Sequence, residues 1–149
     1  MMPTNRLPSL EDISPTKGLD LDEKCALEHF LGKSIDEASL LFKDNALYYE
    51  NDLMHMGAKA FAFYLPSLKP YLESSESDLD SDIVNSVLVT IRSRLELDCE
   101  SICLAKTSIS DLLIYCLDNY PKFQVDVDIY GDLESELRRV LNDVQAMNC

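Results

Sequence analysis

One stretch, Asn45 to Leu72, constrains the fold more than any other: NALYYENDLMHMGAKAFAFYLPSLKPYL. It gathers Tyr48, Tyr49, Met54, Met56, Phe61, Phe63, Tyr64 and Tyr71, which flanking segments must cover. Tyr49, Leu53 and Met56, with Tyr48 and Met54 beside them, nearly surround a helix capped by Asp44 or Asn45 and stopped at Gly57. Phe61, Tyr64, Leu65, Leu68 and Leu72 continue at helical spacing, but Pro66 removes the amide that would bond to Ala62, and Pro70 repeats the loss one turn later. The chain either kinks at Leu65 or starts a new turn with Pro66 at its first position, where the missing donor costs nothing.

The rest of the chain reads as cover for this stretch. Residues 1–18, rich in proline and without periodicity, form a flexible N-terminal arm; 19–149 form a single helical domain. Asp20 with Glu23, and Ser34 with Glu37, have the spacing of capping pairs. They open a helix ending near Gly32 and a second ending near Lys43. Glu73 to Asp82 carries acids and serines and reads as a solvated loop. Ile83, Val84, Val87, Leu88, Ile91 and Leu95 then form a strong helical stripe, and Leu97 to Leu104 reads as a further helical turn. Ser108 with Asp111 caps the next helix, which Pro121 ends. In FQVDVDIY, Phe123, Val125, Val127 and Ile129 alternate with polar residues, so 123–130 reads as one short extended segment. A final helix presents Leu133, Leu137, Val140, Leu141 and Val144. The expected fold is all-α, about seven helices in one compact domain.

Charge narrows the function more than any motif. The sequence has 27 acidic against 13 basic side chains, a net charge of −14, which opposes direct binding to nucleic acid or to an anionic membrane. No run is long enough to span a membrane, and the N-terminal residues lack the apolar core of a secretory signal. Five cysteines (Cys25, Cys99, Cys103, Cys116, Cys149) stand at irregular spacing, as expected of unpaired thiols in a reducing compartment. The expected location is cytoplasmic.

Motifs for catalysis and cofactors are weak. Of the two histidines, His29 sits beside Phe30 and His55 between Met54 and Met56, whose neighbouring positions on a helix point in different directions and so do not form a metal set. Asp126, Asp128 and Gly131 match three positions of a calcium loop, but its fifth position is Tyr130 and its twelfth is Leu137. Asp78, Asp80 and Asp82 share the spacing without the glycine or the final glutamate. With four glycines and no phosphate-cradling loop, no catalytic, metal or cofactor residue is assigned, and no enzyme activity is expected.

Leu53-Met54-His55-Met56-Gly57, followed by Ala60-Phe61-Ala62-Phe63-Tyr64-Leu65-Pro66, resembles a motif of small uncharacterised bacterial proteins. Ala26 to Lys33 and Leu41-Phe42 fit the same resemblance, which covers about residues 24–72. It implies a bacterial or phage origin and transfers no catalytic residue. By size and charge alone the chain is similar to immunity and antitoxin proteins, which neutralise basic toxins by presenting carboxylates. The leading expectation is therefore an acidic module binding a basic protein such as a toxin. Its carboxylates would be Glu73, Glu76, Asp78, Asp80 and Asp82, or Asp126, Asp128, Asp132, Glu134 and Glu136, with Tyr48, Tyr49 and Tyr71 as contact residues. Two alternatives stand beside it. One is a small helical enzyme or ligand-binding domain with a site of Tyr49, His55 and Tyr64 within 45–72; the other is a homodimer paired through FQVDVDIY.

Overall fold

The computed structural model describes residues 6–149, and these are helical and irregular, with no strand among the described residues. The all-α expectation holds. Ser9 and Asp12 form a reciprocal cap that opens α1 (Leu10–Ile13). Ile13 and Ser14 are fully buried, so the segment from Pro8 onward is docked against the domain instead of forming part of a flexible arm; residues 1–5 lie outside the described residues. Gly57 makes this docking possible: its amide donates to Ile13 O at 3.0 Å, and a Cβ there would lie 2.3 Å from Asp12 O.

Asp20 caps α2 (Leu21–Phe30), and the Ser34–Glu37 box opens α3 (Ile35–His55). The expected boundary near Lys43 is a kink within α3. Asn45 leaves helical geometry (φ −156°, ψ 82°), and its Oδ1 accepts from Tyr48 N at 3.3 Å, recapping the second half. After α4 (Ala58–Tyr64) come a tight 3-10 turn, Leu65–Leu68, and α5 (Lys69–Glu73), each with its proline in the first turn. Of the two readings for Pro66, the new turn is observed. The chain continues as α6 (Ser81–Leu97), α7 (Cys99–Leu104), α8 (Lys106–Asp118), α9 (Tyr120–Phe123), α10 (Val127–Tyr130) and α11 (Leu133–Gln145). Short helical turns in the connections raise the number above seven.

The core confirms the role of the central stretch. Leu53, Met56, Phe61, Tyr64, Leu65, Leu68 and Leu72 are buried, and α6 packs its stripe against α3 on one side and α11 on the other. The Tyr64 hydroxyl donates to Phe30 O at 2.9 Å and to Lys33 O at 2.8 Å, which ties the end of α2 to α4.

Three local expectations are corrected. The segment 123–130 is not extended: Phe123 ends α9, Gln124 takes a left-handed conformation (φ 45°), and Val127 to Tyr130 coil into a turn capped by Asp126. Only Phe123 of the alternating set is buried, so no covered strand face exists, and pairing of two copies through a strand has no basis. The cap expected at Ser108 is absent because α8 already begins at Lys106. The cysteines are not all unpaired thiols: Cys103 on α7 and Cys149 form a disulfide, Cα atoms 5.5 Å apart, while Lys106 Nζ donates to Met147 O at 2.9 Å. Cys116 is buried, as expected of a small apolar side chain, while Cys25 and Cys99 are exposed.

Candidate partner-binding face and the groove at the other end of α6

The two acidic segments converge at the N-terminal end of α6. Leu79 N donates to Lys122 O at 2.9 Å, and Tyr130 hydroxyl bonds to Asp82. Lys122 Nζ donates to Leu72 O (2.6 Å) and Ser74 O (3.1 Å) and lies 3.8 Å from Asp78. The segment 73–82 is thus an ordered turn, with buried Ser77 donating to Leu72 O at 2.8 Å, and not a wholly solvated loop. Held in this way, Leu79 takes φ +68°, a conformation L side chains avoid, and is 65 % exposed. Val127 and Ile129, on the joined α10, are 65 % and 70 % exposed. Leu79, Val127 and Ile129 thus stand exposed beside the carboxylates of the two segments.

The carboxylates divide by what they already bind. Asp80 caps α6 through Ile83 N and accepts the Tyr71 hydroxyl at 2.6 Å. Tyr71 is accordingly buried, and burial together with Asp80 pushes its hydroxyl pKa up; it is not a surface contact, contrary to the sequence expectation. Asp132 caps α11, and the Ser135 bonds hold its carboxyl below the usual range. Glu134 pairs with Arg138 at 3.2 Å, and Glu136 pairs with Arg92 at 2.8 Å and with Arg139. Asp78, near Lys122, Asp82, bonded to Tyr130, and Asp126, the cap of α10, remain exposed, and with exposed Glu73, Glu76 and Asp128 they supply the negative surface at this end of α6.

The aromatic site expected from Tyr49, His55 and Tyr64 is dispersed. Tyr64 is fully buried with its hydroxyl occupied, Tyr49 packs edge-on against His29, and His55 turns toward α2, its Nε2 3.6 Å from Asp22. A different pair is assembled nearby: His29 Nδ1 donates to buried Asp52 at 2.6 Å, and exposed Tyr48 brings its hydroxyl 3.4 Å from His29 Nε2. Burial pushes the Asp52 carboxyl up, while the bond and charge of His29 pull it down. The pair staples α2 to α3.

The C-terminal end of α6 is built differently. Arg94, 5 % exposed, donates from Nη2 to the carbonyls of Leu53 (2.7 Å), Met54 (3.2 Å) and Met56 (2.6 Å), which close α3, and from Nη1 to Asp98 at 3.0 Å. Its guanidinium lies 4.1 Å from the Phe61 ring centre, and burial lowers its pKa to about 10 despite Asp98. A cation here answers the negative end of the α3 dipole. One turn back on α3, Glu50 is enclosed and accepts from Thr90 Oγ1 at 2.8 Å and from Ser86 Oγ. Burial pushes its carboxyl up to about 7 against the pull of those hydroxyls and of Arg94. Beside Arg94 a groove of about 560 Å³ opens between the α1–α2 connection and α7. Glu23 on its wall anchors that connection, accepting from Ser14, Thr16 N and Thr16 Oγ1; burial raises its pKa, but these bonds outweigh it and hold the carboxyl below the usual range.

Among the described residues no three His, Cys, Asp or Glu side chains are placed to hold one metal ion, and no helix is long and apolar enough to cross a membrane. The molecule is thus an all-helical acidic domain with an apolar-and-acidic face at one end of its central helix and a groove at the other. No family model, curated protein or solved structure matches the chain.

Proposed function

We propose that the chain is an acidic protein-binding module of the immunity or antitoxin type, neutralising a basic protein partner by capturing it at the N-terminal end of α6. One observation carries the reading. Two acidic segments nearly fifty residues apart in sequence are bonded into one face, Asp82 to Tyr130 and Leu79 to Lys122, and that face holds Leu79, Val127 and Ile129 out to solvent. The carboxylates steer a cationic partner and speed encounter, an effect that weakens with salt. The exposed apolar side chains then lose their water against the partner and supply the lasting contact. The reading includes no catalytic step, and a cytoplasmic location belongs to it, in which Cys103 and Cys149 would be held as thiols.

The test is capture from an extract of the native host on immobilised protein, comparing wild type with a variant carrying Asp78→Asn, Asp126→Asn, Asp128→Asn, Val127→Ser and Ile129→Ser. The reading requires that one basic protein be retained by the wild type at low salt, released at high salt and lost from the variant. Equal retention by both would contradict it.

A further inference from the structure

We propose that the groove at the C-terminal end of α6 is a second docking site, whose occupant is an extended, arginine- or lysine-bearing segment of a protein partner. It shares no residue with the face described above and lies about 22 Å from it along α6, at 1.5 Å per residue from Asp82 to Leu97.

Shape and charge both favour that occupant. The groove of about 560 Å³ meets a recess of about 170 Å³, the two sharing Pro15, Gly57, Ala58 and Glu100, so the hollow is elongated and fits a length of chain. Met54, half-buried, and Leu97, 83 % exposed, give it an adaptable apolar lining for the stems of long basic side chains. Asp20, Glu23, Asp98 and Glu100 line the groove and Glu11 and Asp12 the recess, against Lys59 in the recess and Arg94, which is enclosed and already paired with Asp98. Exposed Glu100, which borders both hollows, has no hydrogen-bond or ion-pair partner among the described residues. A peptide brings cationic side chains for these carboxylates together with apolar stems for Met54 and Leu97, whereas a simple cation brings only charge.

The experiment uses the full chain with methyl-13C-labelled methionine and, as probe, a fluorescein-labelled twelve-residue peptide of alternating arginine and leucine. The expected result is saturable binding by anisotropy, with the Met54 and Met56 methyl resonances shifting as the peptide is added. Leu97→Lys with Glu100→Lys weakens binding at least tenfold, whereas Asp128→Asn with Ile129→Ser, at the other end of α6, changes it less than twofold. Absence of binding, unmoved Met54 and Met56 resonances, or equal weakening by both variants would overturn the proposal. The methionine shifts in the unaltered chain read the site without a substitution. Loss of the groove leaves the capture test of the other face intact, so the two readings fail separately.

Discussion

The two ends of α6 handle charge in opposite ways. At its C-terminal end Arg94 is buried and wrapped by three carbonyls, a carboxylate and an aromatic ring. At its N-terminal end, apart from Asp80, the acids face water beside the exposed side chains of Leu79, Val127 and Ile129. The charge that organises the fold is enclosed with its partners, whereas the charges proposed to serve encounter stay solvated. Substitution should therefore cost stability at one end and association at the other.

The largest break is expected from Arg94→Leu. It leaves the carbonyls of Leu53, Met54 and Met56 and the Asp98 carboxylate without their donor, and should cost about 3–5 kcal/mol in urea unfolding. Reduction of the Cys103–Cys149 bridge comes next. It closes a loop of sequence separation 46, and the chain-entropy relation gives about 4 kcal/mol, to be read from unfolding with and without a dithiol reductant.

Glu50 sharpens the comparison through pH. Its folded pKa, raised to about 7 from the ordinary 4.5, means that the native state keeps a proton that the unfolded chain releases. The stabilisation from this group is complete below about pH 4.5 and is lost as pH rises through about 7, a change of roughly 3 kcal/mol. Glu50→Gln should remove that slope, so the difference in unfolding free energy between variant and wild type will shift by this amount between pH 4.5 and 8. The smallest effect belongs to the other end of α6: Asp128→Asn with Ile129→Ser should alter stability by less than about 0.5 kcal/mol, because neither side chain is buried.

What the sequence made legible was local. The Ser34–Glu37 box, the cap at Asp20, the break at Asn45 and the buried stripe of α6 all rest on spacings within one or two turns. The alternation in FQVDVDIY misled because Pro121 already supports a helical turn that carries Phe123 inward, and the remaining apolar residues face solvent. The disulfide, the His29–Asp52 staple, the bond of Glu50 with Thr90 and that of Arg94 with the Leu53 carbonyl join residues 23 to 46 positions apart, which no local pattern encodes. One signal was available: Glu50 shares a stripe with Ala46 and Leu53, and Arg94 one with Val87 and Ile91, and a charge in register with a buried stripe needs an enclosed partner. The convergence of the two acidic segments required the tertiary fold, since each alone reads as an ordinary solvated run.

The most direct test of the binding reading is the association rate of the captured basic partner, measured by stopped flow as a function of salt for the wild type and the five-residue face variant. The account predicts a steep fall of the wild-type rate with salt and, for the variant, a slower rate at low salt with a shallower salt dependence. Superimposable salt dependences would show that the face at the N-terminal end of α6 is not where the partner is met.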